Sequence, residues 1–294
     1  MQLSVLLATR NNASVLSQLL YSLTQCRQPE SWELVVVDNG STDNTAEVVR
    51  SYVNQLSVIY TNETIQGKSR ALNHGLSHVR GEIILFTDDD ITPDMDWLVN
   101  IVHAMDKHTD INVLGGRICV DARDLPVWLA NASNLRGMLV AEHDLGTKEV
   151  IYGPDHYPFG PNMAVRRCVL ATLENPWPTY LGPGTPLPLG DEMVFVQNLK
   201  LAGQRRLYSP DCIVRHKPII RRNYLLSALK RTFIGGFVAG YYGDEDRSVQ
   251  YEKKSFLELA RTRITASRSA REIMCILTRY GGHCMGRIRR SLST

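Results

Sequence analysis

No two of the six cysteines stand in a CxxC pair. Free, packed thiols in a reducing compartment are therefore expected rather than a disulfide framework. No run reaches the roughly 18 apolar residues that a spanning helix needs. The nearest, Tyr224 to Tyr242, is broken by Lys230 and Arg231. The opening MQLSVLLATRNN has no basic leader, no long apolar core and no small-residue cleavage site, so no signal peptide is expected. There is no internal repeat and no low-complexity tract. The glycine pattern GxGxxG is missing after the first strand-like run, where TRNN stands, which argues against a dinucleotide dehydrogenase. Gly67-Lys68-Ser69 looks like the end of a P-loop. That motif also needs glycine at position 62, where Asn62 stands, which argues against a P-loop ATPase.

What is present is ordinary in amount and uneven in place. Hydrophobic residues make up 44% and charged residues 21%, as in a globular protein. From Lys217 to Thr294 there are 16 basic against 6 acidic residues; the rest has 17 against 24. An acidic body thus carries a basic C-terminal region, which suggests an anionic surface as a partner.

The first third alternates. LSVLLA, ELVVVD, SVIYT and EIILFT read as buried strands. Between them ASVLSQLLYSLTQ, NTAEVVRSYVNQL and GKSRALNHGLSHV read as amphipathic helices. This order predicts an α/β fold with a doubly wound, mostly parallel sheet flanked by helices. Ligands of such sheets bind outside the carboxyl ends of the strands. Those ends are Thr9-Arg10-Asn11, Asp38-Asn39-Gly40, Thr61-Asn62 and Asp88-Asp89-Asp90. After NVLGGRICV the pattern loosens, and residues 121–190 read as a loop-rich part that covers the sheet edge. From Tyr224 the chain reads as mainly helical.

The carboxylates sort by position. Thr92-Pro93 predicts a helix start, which assigns Asp94 and Asp96 to a first turn. Asp88 and Asp90, on one side of an extended chain, offer hard oxygen ligands for Mg²⁺ or Mn²⁺. The plain alternative is an acidic surface loop. Lys68 and Arg70 stand at a helix start facing the strand ends, where an anion can dock. A second acid pair, Asp191 and Glu192, follows a Gly/Pro-rich loop able to deliver a carboxylate to a site. His216 ends a late strand-like run and can supply an imidazole ligand.

Together these pieces resemble the family-two inverting glycosyltransferases of the GT-A fold, over about residues 2 to 220. The resemblance lies in VLLATRNN, LVVVDNGSTDNT, GKSRALNHGLSHVRGEIILFTDDD, FGPNMAVRR and GDEMVFVQNLKLAG, in family order. It implies a nucleotide-sugar-binding half (1–110) and an acceptor-binding and catalytic half of the same domain (111–220); the basic, mainly helical region (221–294) lies outside the resemblance. The implied donor set is Thr9, Arg10, Asn11, Asp38, Asn39, Lys68, Arg70, Asp88 and Asp89. Asp38 would bond the base, Thr9 and Arg10 would hold the nucleoside, and Asp88 would lie near the ribose. Mn²⁺ or Mg²⁺ would be held by Asp90 and His216, with Asp88 beside them. Glu192 and Asp191 are the catalytic pair. Here the order is Asp-Glu where the family has Glu-Asp, and position favours Glu192 as the base.

The expected reaction is direct displacement at the anomeric carbon with inversion, a carboxylate taking the acceptor proton. The expected donor is a nucleotide-diphosphate sugar, uridine diphosphate sugars first, and the acceptor a saccharide or a lipid-linked hydroxyl. The expected setting is cell-surface or exported polysaccharide synthesis from the cytoplasm, peripheral at an anionic membrane. No nucleic acid is expected as partner. A sugar nucleotidyltransferase would want a GxGxR loop where TRNN stands. A non-catalytic nucleotide-sugar binding module is the alternative from another class.

Overall fold

Four strands rich in Val, Leu and Ile set up the sheet. β1 (Leu3–Thr9), β2 (Trp32–Asp38), β3 (Val58–Asn62) and β4 (Ile83–Thr87) run parallel in the order β3-β2-β1-β4. The computed structural model describes residues 1–153, 156–173, 175–218, 224–242 and 270–291. Alternation along the strands divides the core in two. Leu3, Val5 and Leu7 join Leu34, Val36 and Leu85 on one face, under α1 (Ala13–Gln25). Leu6, Val35, Val37, Ile84 and Phe86 fill the other, with Ala71 and Leu72 of α3 (Lys68–Leu76). The sheet is thus doubly wound, as the βαβ pattern predicts.

Parallel register aligns the strand ends. Thr9 pairs with Asp38, and Asp38 with Asn62, so the polar ends stand in one row. Beyond β4 the sheet becomes mixed. β8 (Met163–Arg166) runs antiparallel to β4 and to β6 (Val113–Cys119); β6 then pairs parallel with β9 (Arg206–His216). β5 (Ile91–Pro93) and β7 (Val150–Ile151) pair antiparallel with β9.

Several expectations change. Thr92-Pro93 is no helix start: it lies in β5, with Thr92 opposite Arg215 and Pro93 opposite Val214. Pairing with β9 outweighs the local capping signal, and proline is tolerated on such a border strand. The helix begins later, as α4 (Trp97–Lys107). Asp94 and Asp96 precede it, within reach of Arg215 and Arg27 at 3.5 and 3.0 Å. The second helix, α2 (Thr45–Arg50), gives way at residue 51 to i→i+3 turns, such as Tyr52 N–H to Val49 O at 3.1 Å. Residues 163–166, inside the loop-rich stretch, form a central strand rather than an edge cover.

The chain divides into two compact units. One comprises residues 1–119, 143–186 and 191–217; it includes α7 (Arg167–Leu170) and α8 (Asp191–Leu201). The other comprises residues 120–142, 187–190 and 218–294. Within it, α5 (Val127–Ala130) and α6 (Ser133–Val140) bury Trp128, Leu129, Leu135 and Leu139 with Ala228 of α9 (Tyr224–Tyr242) and Cys275, Ile276 and Tyr280 of α10 (Ala270–Ser291). Those apolar side chains assign 120–142 to this unit. α9 and α10 touch backbone to backbone: a Cβ on Gly236 would lie 1.9 Å from Arg279 O, and one on Gly282 2.1 Å from Phe233 O. Arg221 and Arg222, and the basic residues between 243 and 269, counted above in the C-terminal charge, lie outside the described residues.

Candidate active site

The row of strand ends opens on a cleft of about 330 Å³ at the switch between β1 and β4. Thr9, Arg10, Asn39, Lys68, Asp88, Asp89 and Asp90 line it. Each following loop is tied to the next. Thr9 Oγ1 donates to Asp89 Oδ2 at 2.5 Å, and Asn12 Nδ2 to Asp89 Oδ1 at 2.9 Å. Asn11, at φ +51°, accepts from the Thr42 N–H at 2.7 Å. Asn39 accepts from Gly67 N–H and donates to the carbonyls of Glu63 and Ile65. Asn11 and Asn39 thus shape the cleft through the backbone.

Asp38 does not line the cleft. It is buried, accepting from Ser41 N–H at 2.7 Å and from Tyr60 Oη at 2.6 Å. Arg70 is exposed and does not line it either. Lining residues without a sequence forecast are Ala8, Asn12, Gln66, Pro183 and Gly184. The last two arrive because Lys68 N–H donates to Pro183 O at 3.0 Å and Ser69 Oγ to Leu181 O at 3.2 Å. The Gly/Pro-rich composition of that loop was the only signal for it.

The three adjacent aspartates have three different partners. Asp88 forms an ion pair with Lys68, both largely shielded. Asp89 takes the two hydrogen bonds above. Burial pushes its carboxyl up to about 6, against those bonds. Asp90 Oδ2 lies 3.2 Å from His216 Nε2. Burial by itself would raise Asp90; His216 and Lys68 outweigh it and hold it below the usual carboxylate range.

The acid pair begins α8. Burial raises both carboxyls. Glu192 is pushed up to about 7, with the charges of Asp191 and Asp88 adding to burial and Lys68 opposing them. Lys68 in turn is held well above the usual lysine range. Its burial would lower it, but Asp88, Glu192 and Asp191 outweigh that. The charges of three carboxylates therefore bear on one cation, which pairs with Asp88. Two glycines make room for the pair. A Cβ on Gly182 would lie 2.5 Å from Asp191 Oδ2, and one on Gly160 2.4 Å from Glu192 Oε1. Gly160→Ala should thus shift the Glu192 carboxylate, the end of a flexible side chain, with little loss of stability. Turnover should fall about a hundredfold at an unchanged melting temperature. Parent-like turnover in this variant would separate Glu192 from the chemistry.

The residues suit a hard divalent cation. Asp90 Oδ1 is buried and has no hydrogen-bond partner among the described residues, and its other oxygen faces an imidazole. Oxygen with one nitrogen suits Mn²⁺ or Mg²⁺. Among the described residues no three His, Cys, Asp or Glu side chains converge as a metal cluster. Of the expected metal ligands Asp88, Asp90 and His216, Asp88 is paired with Lys68, while Asp90 and His216 face each other.

Residues 4–173, more than half of the chain, match the family model of glycosyl transferase family 2. The chain belongs to this family. Among its relatives, the Staphylococcus aureus poly(ribitol-phosphate) beta-N-acetylglucosaminyltransferase TarS is 33% identical over 131 residues, 43% of this chain and 22% of TarS. Hyaluronan synthase of Pasteurella multocida is 29% identical over 140 residues, 46% of this chain and 14% of the synthase. The matches thus span well under half of these relatives. Among solved structures, the mannosyltransferase PcManGT of Pyrobaculum calidifontis, in complex with GDP-Man and Mn²⁺, superposes with a TM-score of 0.57 at 18% identity, covering 99% of this chain and 74% of that one. TarS 1–349 in complex with UDP-GlcNAc does so with a TM-score of 0.57 at 16% identity, covering 100% and 93%. The family 2 domain therefore has the GT-A fold. Among the described residues no helix is long and apolar enough to cross a membrane.

Proposed function

We propose that this chain is a metal-dependent inverting glycosyltransferase. It moves a sugar from a nucleotide-diphosphate sugar to a saccharide or lipid-linked hydroxyl, in cell-surface or exported polysaccharide synthesis at the cytoplasmic side of an anionic membrane. The observation that carries this reading is the Lys68–Asp88 ion pair beside the Asp90–His216 pair, with Asp191 and Glu192 near enough for their charges to raise Lys68. Thr9, Arg10 and Asn39 bound the donor cleft, and Lys68 and Arg10 put cations where a diphosphate would lie. Asp90 and His216 would hold Mn²⁺ or Mg²⁺, which supplies neutralisation of charge on the departing diphosphate. Glu192, titrating near neutral pH, takes the acceptor proton as the hydroxyl oxygen attacks. Attack opposite the leaving group inverts the anomeric carbon, and no covalent nucleophile takes part.

The test is a thermal-shift series of nucleotide-sugars with and without Mn²⁺, beginning with UDP-GlcNAc and GDP-Man. At least one donor should raise the melting temperature by several degrees, more with metal present. No stabilisation by any donor would remove the central claim. Normal donor binding without turnover in the parent chain would leave a binding module instead, and turnover untouched by Glu192→Gln and Asp191→Asn would place the base elsewhere.

A further inference from the structure

One side of α10 is sealed. Cys275, Ile276 and Tyr280 are buried, and Gly282 and Gly286 sit against the Phe233 and Phe237 carbonyls of α9. The opposite side is apolar and open. Met274, Leu277, Met285 and Ile288 are 47, 52, 55 and 60% exposed. With Gly281, whose Cβ would meet nothing within 4 Å, they recur at helical spacing and form one continuous stripe. On the 3.6-residue repeat Arg271 and Arg289, both exposed, fall along one edge of that stripe. The helix carries five arginines and one acid, Glu272, which is buried.

We propose that this face of α10 lies flat on an anionic membrane surface, its apolar stripe in the headgroup boundary and Arg271 and Arg289 on lipid phosphates. This deepens the membrane setting proposed above and rests on it. Charge complementarity decides the occupant. A membrane with anionic headgroups answers both stripe and arginines. A second copy laid antiparallel on the same stripe would set like-charged arginine edges together, and a parallel copy would leave both edges without an anionic partner, because the one acid of the helix is buried. A length of 22 residues with this much charge suits lying in the interface rather than crossing it.

The test uses the full chain and two vesicle types, phosphatidylcholine alone and phosphatidylcholine with about one third phosphatidylglycerol. The chain should sediment with the anionic vesicles only, less at high salt. Those vesicles should shield Met274 and Met285 from peroxide oxidation. Leu277→Asn with Ile288→Asn should weaken binding at least about tenfold, at an unchanged melting temperature because both side chains are exposed. Failure of the parent chain to bind anionic vesicles overturns both the face and the membrane setting. Parent binding that survives the double substitution overturns the face alone. Methionines already shielded without vesicles, or a dimer that the double substitution dissociates, would give the stripe to protein and overturn the proposal.

Discussion

Glu192→Gln is expected to lower kcat by about 10²–10⁴-fold while nucleotide-sugar still stabilises the protein. Glutamine keeps the shape that fits against Gly160 but takes up no proton. The parent should show an acid limb in kcat/KM with an apparent pKa near 7, belonging to Glu192 and its neighbour Asp191 together. The linked effect on stability has a definite sign. Glu192 titrates at about 7 in the fold against an ordinary 4.5. Its contribution to stability is therefore fully present below about pH 4.5 and is lost as the pH rises through about 7. Glutamine never ionises, so the variant should melt no lower than the parent at pH 8 even as activity collapses. Two measurements suffice: a pH–rate profile and melting curves at pH 5 and 8. If Asp191→Asn abolished turnover while Glu192→Gln kept it, the base would be Asp191.

The second large effect is at Asp90. Asp90→Ala should reduce metal-dependent donor turnover about a thousandfold or more. It should also abolish the extra stabilisation that Mn²⁺ gives a bound nucleoside diphosphate. The physical reason is that Asp90 presents a buried oxygen with no partner among the described residues and holds His216 at 3.2 Å. Because His216 and Lys68 hold Asp90 below the usual carboxylate range, its charge contributes to stability, so the metal-free variant should melt somewhat below the parent and the decisive readout is the lost Mn²⁺ response. Undiminished turnover, or an intact Mn²⁺ response in the thermal assay, would leave Asp90 as an acid on a wet loop.

Much of this protein is legible along the chain. The 2- and 3.6-residue periods of the first third report which faces are buried, and burial on both faces of β1, β2 and β4 makes their ends converge in register. That alone put Thr9, Asn39 and Asp88 to Asp90 on one edge. Motif spacing added Asp191, Glu192 and His216.

Other features have no local signature, because they are settled by contacts between distant residues. Nothing near Thr92-Pro93 announces the hydrogen bonding to β9 that makes it a strand. Met163–Arg166 is too short to show a period, yet β4 and β6 hold it in mid-sheet. Pro183 and Gly184 reach the cleft through bonds to α3, more than a hundred residues earlier. Alternation along the chain groups Asp88 with Asp90, but the Lys68 ammonium takes Asp88 and leaves Asp90 with His216. The sequence by itself determined the family, the parallel half of the sheet and the row of acids, because periodicity and motif order are local. Only the tertiary structure decided which acid is paired, which is buried and which keeps an unpartnered oxygen, because ion pairing and desolvation depend on groups that the chain brings together from far apart.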